Sequence, residues 1–392
     1  MKRITRVFGF VAALLVLLSL ASCHEKPRRE VTSVLIYLAG NNSLEGYGPD
    51  CLRQIKSGYI PEDKADADVL LVYYHTPGDV PTLKKISKTS SGVIKELVLC
   101  SYPAGQKSST AATLAQVIRD AEAVCPADHH NLVMWSHSTG FLPTGYYDHL
   151  WYGDSELTKT ASGRMGEKRT FGRDYNSSVE IEIPDLAAAL PFKYDVILFD
   201  SCLMGEVEVA YELREKCDLL VVSPTEIMAQ GFPYYIMMEE LLNNPDKEAA
   251  ATAIATEYYD YYNTQHGGGT VTVMRTSGLT SLAQITARII SNHREEISGI
   301  NRRTVQYFDR CSVHWSYDLD DIISRVANAS EYSAFRSALE ASTVYKAATP
   351  TFLSIQINKY SGYSMYLPYP EYKFLNSFYK TLAWNKVVGL VE

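Results

Sequence analysis

The chain has 392 residues, 46% of them hydrophobic, with 37 basic against 45 acidic side chains and a formal net charge of −8. That balance excludes a nucleic-acid partner held by a concentrated basic face, and the length suits two to three domains or one large α/β domain with additions. Seven cysteines, at 23, 51, 100, 125, 202, 217 and 311, have no regular spacing and indicate no disulfide framework; without a CxxC pair or an HExxH helix, a metal site has no support either.

At the amino end Lys2, Arg3 and Arg6 precede an apolar run over 7–20, the charged start and apolar centre of a secretory signal. The run is shorter than the ~20 residues a membrane-spanning helix needs. Leu20-Ala21-Ser22-Cys23 resembles the lipobox of a bacterial lipoprotein, in which the cysteine is lipidated and becomes the new first residue. This predicts a signal over 1–22 and a mature chain starting at Cys23, lipid-anchored in the cell envelope on the periplasmic face or the cell surface. A tether over 23–31 then leads into a domain over 32–392. Without the three leader cations, 34 basic residues face 45 acidic ones, a net charge of −11.

Strand-like and helix-like stretches then alternate, as a mostly parallel sheet covered by helices requires. The pattern predicts buried strands over 33–39 and 69–74 and a helix over 111–124. A strand over 131–136 follows and ends at His137, with Ser138, Thr139 and Gly140 behind it. Residues 158–178 are rich in Gly, Ser, Lys and Arg and nearly free of aliphatic side chains, which predicts an exposed loop. Lys159, Arg164, Lys168, Arg169 and Arg173 make that loop a candidate processing segment.

A second apolar run, 194–200, ends just before Cys202. Beyond it Leu203, Val207, Ala210 and Tyr211 recur at i, i+4, i+7 and i+8, which predicts a helix over 203–214 beginning at the thiol. Strands over 219–222 and 270–274, a helix over 279–292 and a C-terminal part from about 301, packed on the core, complete the pattern. His266-Gly267-Gly268-Gly269 precedes a strand, has no GxSxG elbow to accompany it, and reads as a turn. Asp318, Asp320 and Asp321 suit a helix N-terminus, and most of the 28 tyrosines belong in the core with the hydroxyl at an edge.

If the runs ending at His137 and Cys202 are neighbouring parallel strands, their carboxyl ends set an imidazole beside a thiol, where ligands gather in open α/β sheets. A free thiol is mostly protonated near neutral pH and needs a base or a lowered pKa. His137 supplies the base, and the start of the expected helix after Cys202 favours negative charge. The backbone amides of Cys202 and Ser138 are then the candidate oxyanion donors, each worth on the order of 2.7–4 kcal/mol in the transition state.

Five blocks carry a family resemblance: 34–45 (VLIYLAGNNSLE), 133–140 (VMWSHSTG), 195–208 (DVILFDSCLMGEVE), 223–234 (SPTEIMAQGFPY) and 362–368 (GYSMYLP). In this order, and over nearly the whole mature chain, they resemble the clostripain family of cysteine peptidases. The resemblance implies a caspase-like α/β/α sandwich, a dyad of His137 and Cys202, and cleavage after Arg or Lys through an acyl-enzyme. It also implies that Asp200 lies in the basic-residue pocket, with Glu226 on the substrate side, and that cleavage between the histidine and cysteine strands activates the protein. Some members depend on calcium, yet no calcium loop is present here and no organic cofactor is implied.

The chain departs from the family pattern at Ser138 and Thr139, where glycine is usual after the histidine, and at Asn41, where aspartate is common. A side chain at 138 narrows the approach of a substrate carbonyl. The alternative from another class is a non-catalytic surface lipoprotein that binds peptide or glycan on the same fold. A transpeptidase or amidase shares the dyad and differs in whether an amine or water resolves the acyl-enzyme.

Overall fold

The computed structural model describes residues 28–144, 146, 171, 172, 174, 175, 177, 179–265, 267–311 and 313–392. The signal, Cys23, most of the tether, most of the 158–178 loop and His266 lie outside the described residues. Strands β1 (Thr32–Ala39), β2 (Val69–His75), β3 (Thr82–Lys88), β4 (Ile94–Ser101), β5 (His129–Trp135), β6 (Tyr194–Asp200), β7 (Cys217–Val222) and β8 (Thr270–Arg275) are joined by β10 (Thr343–Ala348) in one sheet, ordered β10-β8-β7-β6-β5-β1-β2-β3-β4. The short β9 (Ser316–Asp318) pairs instead with Ser364–Tyr366.

The central strands β7, β6, β5, β1 and β2 run parallel, whereas β3 and β4 on one flank and β8 and β10 on the other are added antiparallel. β1 is buried at every position, because a strand with helices on both faces needs apolar residues on both. Alternate side chains point to opposite faces, and this separates two cores. Leu35, Tyr37, Leu71, Met134 and Phe199 meet helices α2 (Ala111–Val124), α3 (Ile183–Ala189), α4 (Val207–Glu212) and α7 (Leu279–Asn292). Val34, Ile36, Leu70, Val133 and Leu198 meet α1 (Gly48–Ser57), α5 (Tyr234–Asn243) and α6 (Lys247–Gln265). The result is the expected three-layer α/β/α sandwich, and Tyr363, Leu375 and Trp384 from the C-terminal part lie in the first core.

Several predicted elements match closely, including α2, whose start is fixed by Thr110 accepting a capping bond from the Thr113 amide at 3.1 Å. Two differ. The β3–β4 hairpin was not anticipated: its lysine-rich strands, with β4 at the open edge, lack a continuous apolar run. The helix expected over 203–214 begins only at Val207. Leu203 adopts φ +61, its amide bonds the Thr225 carbonyl at 3.0 Å and the Gly205 amide bonds the Ser223 carbonyl at 2.9 Å. The residues after Cys202 thus form a turn sewn to the end of β7. The buried Leu203 and Met204 satisfy the apolar spacing without being helical.

Candidate active site

Trp135 and Asp200 are register partners on the parallel strands β5 and β6. His137 and Cys202 each lie two residues beyond that rung. Since paired strands run about 4.8 Å apart, equal steps past one rung deliver both to the same end of the sheet. They line one cleft of about 380 Å³ together with Ser43, Ser138, Asp200, Glu226, Ile227 and Arg310.

The sulfur of Cys202 sits against the turn after β7. The Ile227 amide donates to Sγ at 3.4 Å, and Sγ lies 3.8 Å from the Ile227 carbonyl. The backbone N–H aimed at sulfur favours the thiolate, whereas the S–H bond to the Ile227 carbonyl favours the thiol. The amide donor replaces the helix start expected from the sequence, since α4 opens five residues after Cys202 and has six residues. On the other side His137 Nε2 meets Ser43 Oγ at 2.9 Å, and its carbonyl accepts from the Gly172 amide at 2.9 Å. Ser138 is buried, and its hydroxyl donates to the Cys202 carbonyl. The side chain expected to crowd the substrate carbonyl is therefore drawn toward the turn that follows Cys202.

Asp200 ends β6 on the α5/α6 face and is 3% exposed. Its Oδ2 accepts from Tyr234 Oη at 2.9 Å, while Oδ1 has no hydrogen-bond partner among the described residues. Burial pushes this carboxyl up to about 6, against the hydrogen bonds from Tyr234 and the Phe232 amide. Gly231, at φ +69, lets the chain pass here: a Cβ would lie 2.4 Å from Asp200 Oδ2. Glu226, also nearly buried, pairs with Arg310, Nε to Oε2 at 2.5 Å. Arg310 is presented by a loop gathered around the buried Asp309, which accepts from the amides of Cys311, Trp315 and Ser316.

The sequence reading thus named five residues that share this cleft, His137, Ser138, Asp200, Cys202 and Glu226, and missed Ser43, Ile227 and Arg310. Ser43 lies within the first resembling block and could have been singled out; Ile227 acts through its backbone and Arg310 has no local motif. A further tie holds the end of the 158–178 segment. Asp174 accepts from Ser109 N and Oγ at 2.9 and 2.7 Å and from Asn41 Nδ2 at 3.2 Å, and the Tyr175 amide bonds the Asn41 carbonyl at 2.7 Å. Asp318 caps the helix Leu319–Ser324, and Asp321 pairs with Arg325 and Lys359. Among the described residues, no group of three or more His, Cys, Asp or Glu is placed to hold a metal ion.

A three-layer sandwich whose central parallel strands deliver an imidazole and a thiol to one cleft defines a caspase-like cysteine peptidase. Within that class the chain belongs to the clostripain family, whose model matches residues 36–389. It is similar to an inactive zymogen C11 protease from Parabacteroides distasonis, with 34% identity, a TM-score of 0.78, and 92% of this chain and 98% of that chain covered. A secreted C11 cysteine protease from Bacteroides thetaiotaomicron, solved with an irreversible peptide inhibitor, shares 25% identity at a TM-score of 0.76, with 92% of this chain and 99% of that chain covered. A B. fragilis cysteine protease is 32% identical over 56% of this chain and 96% of its own, with a TM-score of 0.51. No curated protein matches the chain.

Proposed function

We propose that this cysteine peptidase is an endopeptidase that cuts protein or peptide substrates after Arg or Lys, with Cys202 as nucleophile and His137 as base. Its main support is the single cleft lined by Cys202, His137 and Asp200, whose buried Oδ1 has no hydrogen-bond partner among the described residues. His137 takes the Cys202 proton, and the sulfur attacks the scissile carbonyl. The amides of Cys202 and Ser138 hold the oxyanion, Ile227 N–H supports the thiolate before attack, and His137 returns a proton to the leaving amine. Water activated by His137 then hydrolyses the thioester. Asp200 meets the substrate cation beside the nucleophile, as a charge-assisted contact of the kind that discriminates basic from neutral side chains. The bound peptide inhibitor of the similar B. thetaiotaomicron protease supports a peptide substrate.

The same specificity makes the basic residues of 158–178 sites of self-cleavage, a reading supported by similarity to a protein described as a zymogen. The lipobox-like LASC sequence supports lipidation at Cys23 and a place on a bacterial membrane, and replacing Cys23 with serine should abolish incorporation of labelled fatty acid. The deciding experiment offers peptides ending in Arg, Lys, Leu or Asp before a fluorogenic amide to the protein and to Cys202→Ala, with the chain followed by mass spectrometry. Release after Arg or Lys that disappears in Cys202→Ala is the expected result; release after Leu or Asp alone would remove the Asp200 pocket from the reading.

A further inference from the structure

Two turns meet behind the cleft, and they are unequally supported. The nucleophile turn is sewn down on both sides: Leu203 and Gly205 bond the end of β7, the Ser364 amide bonds the Gly205 carbonyl at 3.0 Å, and the Glu206 carbonyl accepts the first bond of α4 from Ala210 at 3.0 Å. The histidine turn, 137–141, faces it. Glu206, fully buried, reaches across and accepts from the Phe141 amide through Oε2 at 2.6 Å. Gly140 lies beneath that carboxyl at φ +67, and a Cβ there would stand 2.0 Å from Glu206 Oε2 and 2.7 Å from the Leu203 carbonyl. Ser138 makes the second tie, from its hydroxyl to the Cys202 carbonyl. The Ser138 amide therefore sits on a short stretch of chain clamped at 138 and again at 140–141, both times to the nucleophile turn.

We propose that Glu206 is a positioning residue that holds the 138–141 turn against the nucleophile turn and so aims the Ser138 amide at the oxyanion. This rests on the reading that Cys202, His137 and the Ser138 amide act as described above. The clamp stands in for the glycine that the family usually carries after its histidine. With serine at 138 the turn gains a side chain to bury, and the structure buries it by joining the two turns. Burial, and then the neighbouring Glu208 carboxyl, push Glu206 well above the usual carboxylate range. Its Oε2 accepts from the Phe141 amide, a role the side-chain oxygen of glutamine can fill.

The test separates oxyanion binding from thiol reactivity. A peptide aldehyde ending in the preferred residue forms a hemithioacetal that uses the oxyanion site, whereas alkylation by iodoacetamide needs the dyad alone. Per titrated Cys202 thiol, Glu206→Leu is expected to lower kcat and aldehyde affinity together, by about 10- to 100-fold, with KM and the iodoacetamide rate nearly unchanged. Glu206→Gln is expected to restore both. Glu206→Asp, which keeps a buried carboxyl but draws it back by one methylene, should show the same pattern more weakly and serves if the leucine variant does not fold. Unchanged kcat and aldehyde affinity in these variants would overturn the proposal even if their Tm falls, and so would an equal loss of alkylation rate, which would place the effect on the dyad. Cleavage that persists in Cys202→Ala would instead sink the underlying catalytic reading, a result seen without any Glu206 variant.

Discussion

Arg310 and Glu226 form an ion pair inside the cleft lined by His137 and Cys202, Nε to Oε2 at 2.5 Å, with the carboxylate side chain 10% exposed and the guanidinium 40%. The acid that the family resemblance assigns to the substrate side is thus engaged by a cation of the chain itself. Arg310 occupies Oε2 of that carboxylate, so a basic substrate side chain approaching Glu226 meets a like charge already paired with it. Replacing Arg310 with glutamine is expected to lower KM for peptides with two basic residues by about threefold or more, while costing about 1–3 kcal/mol of stability by leaving a nearly buried carboxylate without its cation. Steady-state kinetics on mono- and dibasic peptides and urea unfolding check both. An identical KM for the two peptide classes before and after substitution would retire Glu226 as a substrate contact.

If Asp200 receives the substrate cation as proposed, specificity should depend on pH. Burial raises its carboxyl to about 6, so in the free enzyme it is largely neutral below that value and ionised above it. Binding of a substrate cation needs the ionised form, and kcat/KM reports the free enzyme. For an Arg peptide kcat/KM should therefore climb as pH rises through about 6, with a component missing for a Leu peptide and missing in Asp200→Asn. At pH 7.5 that variant should lose about 10- to 100-fold on Arg and Lys peptides, the worth of one charge-assisted contact.

The same kind of shift governs stability at Glu208. Burial raises its carboxyl to about 7, against the hydrogen bonds from Tyr379 and the Tyr366 amide. A raised folded-state pKa means that the folded chain holds a proton the unfolded chain has released. The stabilisation is full below the ordinary pKa near 4.5 and is lost as pH rises through 7. Glu208→Gln keeps an oxygen for Tyr379 and Tyr366 and removes the titration. Between pH 5 and 8 the parent should lose on the order of 2–3 kcal/mol that the variant retains, as read from urea unfolding at the two pH values; parallel losses would refute the assignment.

Ser43 meets His137 Nε2 at 2.9 Å from the turn after β1. An imidazole held by a third group loses less orientational freedom on reaching the transition state. Ser43→Ala is expected to lower kcat by about 3- to 10-fold, a hydrogen bond's worth, with KM unchanged. A pre-steady-state acylation rate equal to that of the parent would show that Ser43 has no part in orienting the ring.

The antiparallel flanks and the late start of α4 show where sequence patterns lose their force. Runs such as that of β1, apolar at nearly every position, mark buried parallel strands because both faces must be covered. Strand β4 is mostly exposed, so no hydrophobic period distinguishes it from a loop. After Cys202 the spacing of Leu203 and Val207 is that of a helix face, yet bonds from the end of β7 hold residues 203–206 in a turn. The local pattern reported burial correctly and geometry incorrectly, since burial is all that hydrophobic spacing encodes.

By itself the sequence determined the two apolar runs that carry His137 and Cys202, the family to which their flanking motifs belong, and the alternation of strand and helix that implies a layered α/β sheet. Each is local, written in consecutive residues whose period or chemistry can be read without knowing what lies opposite. Only the tertiary structure decided that Ile227 donates to the Cys202 sulfur, that Arg310 engages Glu226 across 84 positions of chain, and that Glu206 reaches Phe141. Those contacts depend on which strand ends and turns the sheet order brings together, and a side chain or an amide acquires its partner there through topology.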